Sequence, residues 1–262
     1  MISRLYRKRK ISCLVLADAF IRAARDVATA GELIALMEAV AREMGFRHYA
    51  LIHHDDLTLE KPDRVNLKDY PAAITARLID QHHYRRDPII RGCAFADSAF
   101  LWSELHDIIQ FDRKDRASFE FGRREGLNEG ITVPYMVLGE CMGSCTFAGT
   151  RRPQNASRYL GAAQMIGIFA FQAARRLLSG SRPKPSARLL LHPRPRDCVI
   201  LTGRGYSNKE IARALGLTPR TVDGYLTEAR RLFGARDRTE LVVSALLAGE
   251  IGLHELKARQ PE

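Results

Sequence analysis

The sequence predicts an α+β chain of two folded parts. The first is an α-β-α sandwich around a central antiparallel sheet of about five strands, and the second is an all-α domain of four helices. Three observations carry this reading. Helical spacing fills the stretch from Leu16 to Glu43 and returns from Asn155 to Leu178. Between them lie strand-like apolar runs, "FRHYALIHH" and "ITVPYMVLGECMGSCTFAG". Then "SGSRPKPSA", Ser179 to Ala187, combines two prolines, a glycine, serines and basic residues into a polar, semi-extended linker, after which the signals are helical.

In order, residues 1–15 read as a basic tail and 16–178 as the sandwich. Its first two helices break near Ala30-Gly31, and a strand follows with Phe46, Tyr49 and Leu51 or Ile52 as apolar positions. Pro71 to Tyr84 has helical spacing at Ile74, Leu78 and Ile79, and residues 113–124 form a polar-faced helix. A hairpin turns at Gly139-Glu140, and a long amphipathic helix ends at Ser179-Gly180. Residues 179–187 are the linker, 188–252 the helical domain and 253–262 a C-terminal tail.

The formal charge of +11 is unevenly placed. From Arg182 onward there are 15 Lys/Arg against 9 Asp/Glu, and Met1 to Lys10 carries 5 basic residues and no acidic one. The body, Ile11 to Ser181, is balanced at 21 of each. Positive excess at the ends fits a nucleic-acid-binding module on a neutral domain. Cys13, Cys93, Cys141, Cys145 and Cys198 lack paired spacing and read as reduced, mostly buried thiols. Cys141 and Cys145 fall on an expected strand, too far apart for a shared metal. No apolar run approaches the roughly 18 residues of a membrane span. The start imitates a signal peptide, but a frayed basic tail on a cytoplasmic protein is the expectation.

Catalytic signatures are missing: there is no GxSxG, HExxH or GxxxxGK[ST]. His53-His54 and His82-His83 are adjacent pairs whose members point apart on a regular element, so they read as surface residues rather than metal ligands. Asp55-Asp56 after a strand suggests a phosphorylated receiver. The alternating strand–helix units and late lysine of a receiver are not found, so this pair reads as a solvated loop. We expect no enzyme, no metal and no cofactor beyond a small-molecule ligand.

The second part is more specific. Ser207 with Glu210 makes a capping box, the helix from Asn208 buries Ile211, Ala212 and Leu215, and Gly216 ends it. Thr218 caps the next helix with Pro219 at its first position. Val222, Leu226, Ala229 and Phe233 form its buried stripe, leaving Arg220, Thr221, Asp223, Gly224, Thr227, Arg230 and Arg231 outward. Arg196 to Thr202 supports the pair, and Asp237 with Glu240 opens a final helix. Two helices joined by a tight turn, the second basic outward, make a helix-turn-helix. With Asn208, Lys209 and Thr218, these outward residues are the candidate DNA contacts.

The stretch from Leu191 to Ala248, with "SNKEIA", "LGLTPRTV", Leu-Phe-Gly and "RDRTE", closely resembles the DNA-binding domain of LuxR regulators. It departs at Pro195, where the family usually carries a glutamate, and at Asp223 and Gly224, where basic or amide side chains are common. The resemblance implies a homodimer on an inverted-repeat operator, with RNA polymerase a further partner. The first part, with "YPAAITARLIDQHHYRRDPIIRGCAFADSAFLW" and "GLNEGITVP", resembles the autoinducer-binding domain of quorum-sensing LuxR proteins. Asp87-Pro88, Trp102 and Gly130 fall at the family's mutual spacing. The resemblance implies that Asp87 accepts from the amide of an acyl-homoserine lactone, Tyr70 donates to its acyl carbonyl, Trp102 lines the pocket and Thr146 lies near the third acyl carbon. Ile74 stands where the family's tryptophan donates to the lactone carbonyl, and Leu78 replaces a pocket tyrosine. From the residues alone, Asp87 could instead cap the helix starting at Pro88, a role that competes for its oxygens without excluding the other. A non-lactone ligand, or action without ligand, stays open beside lactone sensing.

Overall fold

A computed structural model describes residues 12–55, 64–80, 83–137, 140–179 and 191–257. These fall into two compact units divided after residue 182.

In the first unit, α1 (Cys13–Asp26) and α2 (Ala30–Met44) are followed by β1 (Phe46–His53) and β2 (Asn66–Asp69). Then come α3 (Ala72–Asp80), a 3-10 turn at His83–Arg86 and α4 (Pro88–Cys93). β3 (Phe100–Leu101), α5 (Leu105–Ile108) and α6 (Arg113–Arg124) lead to β4 (Gly130–Tyr135), β5 (Gly143–Thr150) and α7 (Leu160–Ser179). The five strands form one antiparallel sheet in the order β2-β1-β5-β4-β3.

The two-residue period of the strands sorts side chains between the sheet's faces. Tyr49, Leu51, Ile131, Val133, Cys145 and Phe147 pack into a core with Leu16, Phe20, Met37 and Val40 of the first two helices and Ile166 and Phe171 of α7. The intervening positions of the three central strands fall on the opposite face. There Ala50 pairs with Thr146, Ile52 with Ser144, and Thr146 with Thr132. This second face carries small and polar side chains, and it is the one that backs the cavity described below.

Several expectations need correction. Residues 13–15, assigned to the tail, open α1, whose Leu16 and Ala17 are buried on the core. The first helical break lies at Val27–Thr29 rather than Ala30-Gly31, because the Thr29 hydroxyl accepts from the Glu32 amide and Glu32 reciprocates in a capping box. The long helix read from Asn155 starts as a 3-10 segment, Pro153–Tyr159, before α7. Cys141 sits outside β5. His53 and His54 are not surface residues: His53 is buried edge-on against Phe171, and His54 Nε2 bonds Ser144 Oγ at 2.9 Å. Burial pushes His54 down to about 4, so it is neutral. Asp55 pairs with Arg64 at 2.9 Å. Asp56, Gly139, His82, the side chain of His83 and residues 180–187 lie outside the described residues.

The second unit comprises α8 (Pro193–Gly203), α9 (Asn208–Leu215), α10 (Pro219–Phe233), α11 (Arg238–Leu247) and α12 (Leu253–Leu256). Its core is Cys198, Val199, Ile211, Val222, Leu226, Ala229, Leu241 and Ala245. Pro193 and Pro195 both fall in the first turn of α8, where amide hydrogens have no helical partner, so neither breaks it. Residues 253–256, expected as tail, are helical and docked. Arg196 binds both Glu255 oxygens at 2.7 and 2.8 Å, Arg204 Nε donates to the Glu255 carbonyl, and Leu256 packs on the core. The short helix gives its apolar residue a place on the domain and its acid a cation, which a composition-based reading of a terminus does not reveal.

Candidate functional site

In the first unit α3, α4 and α6 cover the polar face of the sheet and leave a cavity of about 780 Å3, its open mouth included. Ala50, Ile52, Ser144 and Thr146 form its floor, and Ile74, Arg77 and Leu78 project from α3 at helical spacing. Pro88, Ile89 and Ile90 come from α4, and Phe119 and Phe121 from α6. The two helices are held together by Arg91, which donates to both oxygens of buried Asp115 at 2.8 and 3.0 Å.

Asp87 lines this cavity and caps α4 at once. Its Oδ1 accepts from the amides of Ile89 at 2.9 Å and Ile90 at 3.1 Å. Among the described residues, Oδ2 accepts no hydrogen bond and remains for a ligand donor. The two roles fall on different oxygens, so neither displaces the other. Burial raises the carboxyl to about 6, although the two amides pull it down.

Above the floor runs a hydrogen-bonded chain. Trp102 Nε1 donates to Thr132 Oγ1 at 2.9 Å, Thr132 Oγ1 meets Thr146 Oγ1 at 3.0 Å, and Thr146 bonds the Tyr70 hydroxyl. An indole can only donate. If each threonine passes its hydrogen onward, the Tyr70 oxygen accepts from Thr146, and its own O–H is left to donate into the cavity. Burial holds the phenol well above its ordinary pKa, so that proton stays in place.

Of the sequence-predicted ligand residues, Tyr70, Ile74, Leu78, Asp87, Pro88, Trp102 and Thr146 line the cavity. Gly130 does not. It lies behind the indole, where a Cβ would stand 2.7 Å from Trp102 Cε2, so its contribution is to let the ring approach the sheet. Sequence reading missed Arg77, whose guanidinium lies 4.5 Å over the Phe121 ring. Its spacing of three from Ile74 and one from Leu78 was the available signal.

In the second unit Ser207 caps α9 in a full capping box, Gly216 closes it with φ +66°, and Thr218 Oγ1 accepts from the Thr221 amide at 3.1 Å. On α10, Arg220, Gly224, Thr227 and Arg231 are exposed opposite the buried Val222, Leu226 and Ala229 stripe. Asp223 is exposed on one flank, where Asn208 Nδ2 donates to its Oδ1 at 3.4 Å. Arg230, half-buried, donates to Thr227 Oγ1 at 3.0 Å. Lys209 and Thr218 are exposed and Thr221 is half-buried. The ten candidate DNA residues therefore sit on the starts of α9 and α10 and along the outer side of α10.

An apolar-walled cavity in one unit and a helix-turn-helix in the other define the class, a DNA-binding regulator. Residues 29–174 match the family model described as the autoinducer binding domain, and residues 190–245 match that of bacterial regulatory proteins of the luxR family. The chain belongs to the LuxR family of transcriptional regulators that carry an autoinducer-binding domain. It is 31% identical to the transcriptional activator protein BjaR1 of Bradyrhizobium diazoefficiens, over 72% of this chain and 78% of that one. The crystal structure of Escherichia coli SdiA covers 90% of this chain and 98% of its own at TM-score 0.56 and 19% identity. SdiA in complex with octanoyl-rac-glycerol gives TM-score 0.55 at 18% identity, over 92% of this chain and 97% of that one. These two structures share the fold. Among the described residues, no helix is long and apolar enough to cross a membrane.

Proposed function

We propose that this regulator is switched by an acyl compound with an amide, of the acyl-homoserine lactone kind, held in the cavity of the first unit. The observation that carries the reading is the pairing of an uncommitted acceptor, Asp87 Oδ2, with an available donor, the Tyr70 O–H, in one apolar-walled cavity. An acyl amide offers the complement: an N–H for Asp87, a carbonyl for Tyr70, and a chain for the wall of Leu78, Ile90, Phe119 and Phe121. Occupancy stabilises the sensor fold and, by linkage, a homodimer that places two α10 helices about 34 Å apart in successive major grooves of an inverted repeat. The dimer acts in the cytoplasm and, once on DNA, meets RNA polymerase.

A second reading, a non-lactone acyl ligand, draws on Ile74, which brings only methyl groups to the cavity. SdiA, of the same fold, is seen with octanoyl-rac-glycerol. The deciding experiment is the melting temperature of the purified protein with a panel of acyl-homoserine lactones of different chain lengths, on the wild type and on Asp87→Asn. A rise in the wild type that is lost in the variant supports lactone sensing. A folded, dimeric protein whose melting no lactone moves shifts the ligand to the second reading, or to none.

A further inference from the structure

Among the described groups around the cavity, one charged donor is left without a use; Ser118 adds a neutral hydroxyl. Tyr70 serves an acyl carbonyl, Trp102 Nε1 is engaged by Thr132, and Ser144 is engaged by His54. Ile74 offers no donor. Arg77, one turn along the same helix face, lines the cavity with its Nε buried and without a hydrogen-bond partner among the described residues. Among the described residues no salt bridge holds it there either, although its charge acts on Asp87, and its guanidinium lies against Phe121, 4.5 Å from the ring centroid. Stacking fixes the plane of the group while leaving its edge for an acceptor. A buried guanidinium N–H with no acceptor is an unfavourable arrangement that a ligand oxygen would relieve.

We propose that Arg77 is the specificity-determining residue of this cavity and reads an oxygen acceptor on the ligand's head group, beyond the amide. The inference rests on the acyl-amide reading above and adds the head group to it. Two sources share this chemistry: the carbonyl of a lactone ring and the carboxylate of the ring-opened N-acyl-homoserine. A guanidinium fork meets both oxygens of a carboxylate but only one of a carbonyl, so the two can be told apart.

The test compares three ligands of equal chain length by calorimetric titration: N-octanoyl-homoserine lactone, N-octanoyl-homoserine, and N-octanoyl-cyclopentylamide, which has no head-group oxygen. In the wild type at least one of the oxygenated ligands should bind ten-fold or more tighter than the cyclopentylamide, and which one names the source. In Arg77→Met the advantage should vanish while the cyclopentylamide binds as before. Arg77→Gln, which keeps a neutral donor, should retain more of a lactone preference than of a carboxylate preference. Equal binding of all three by the wild type overturns the inference without needing any variant, as does a preference that survives Arg77→Met. If none of the three binds while the protein is folded, the acyl-amide reading itself falls, and this one with it. Binding of the cyclopentylamide alone leaves that reading standing and removes Arg77 from recognition.

Discussion

Gly130 and Trp102 are packed so closely that a single added carbon at residue 130 would lie 2.7 Å from Cε2 and 2.9 Å from Cδ2 of the indole. The ring's position also sets its hydrogen bond to Thr132 and, through it, the chain to Thr146 and Tyr70. A change at a residue that never lines the cavity therefore reaches a group that does.

Gly130→Ala should push the indole off the sheet, break the Trp102–Thr132 bond and destabilise the first unit by about 1–3 kcal/mol. Trp102 is the sole tryptophan of the chain, so its emission reports this position directly. A blue- or red-shifted emission maximum and a lowered melting temperature are expected. An unchanged spectrum with normal stability would show that the ring has room to spare.

Asp87 should show a conflict between stability and binding. Its folded pKa, about 6, lies above the ordinary 3.8, so the folded state holds the proton more tightly than the unfolded chain. The sign follows: above pH 6 the ionised, desolvated carboxyl costs stability in full, on the order of 3 kcal/mol. That cost is relieved as pH falls through 6 and is gone near 3.8. Asp87→Asn keeps a good helix cap and removes the charge. Denaturant unfolding at pH 7.5 should find the variant more stable than wild type, with the gap closing toward pH 5. A variant that is less stable at pH 7.5 would mean that the cap, not the charge, dominates.

Much of this was legible beforehand because its signals are local. Ser207 and Glu210, Thr218 and Pro219, and the stripe from Val222 to Phe233 place α9 and α10 from sequence alone, and the structure puts them there. The parts that escaped depend on tertiary partners. β2, Asn66–Asp69, is a polar edge strand without apolar alternation, and β3 has only two residues, so pairing rather than composition makes them strands. His53 read as surface because nothing local announces Phe171, 118 positions later, as its cover. Arg77 was passed over because an arginine on a helix is ordinarily solvated, and only the placement of α3 against the sheet turns it toward a cavity.

The docked α12 also yields a test. Arg196 spans Glu250 and Glu255, and a Cβ at Gly203 would meet Leu256 Cδ2 at 2.6 Å, so the short helix sits tightly on α8. Deleting residues 253–262 should cost the second unit about 1–3 kcal/mol through lost apolar burial and the broken ion pair. Differential scanning calorimetry of the full chain would show it as an earlier transition. Glu255→Gln, which keeps the packing, should recover most of the loss. A melting profile indistinguishable from wild type after the deletion would return those residues to the status of a tail.

Gly224 offers the most informative substitution on α10. It lies in the interior of the helix, is exposed, and a Cβ there would meet nothing within 4 Å of this chain. Nothing in the folded protein therefore requires glycine, and helix propensity alone disfavours it by up to about 1 kcal/mol relative to alanine. Gly224→Ala should raise the melting temperature of the second unit by a few degrees. A glycine held at such a position, between exposed Arg220 and Arg231, makes sense if DNA comes against the bare backbone. The methyl should then weaken binding to the best duplex selected from a random library by ten-fold or more, with little effect on non-specific DNA. Arg231→Ala provides the contrast: it should weaken specific and non-specific binding together and reduce the salt slope by about one. Higher stability with undiminished specific binding in Gly224→Ala would place residue 224 outside the interface. An unchanged salt slope in Arg231→Ala would do the same for Arg231.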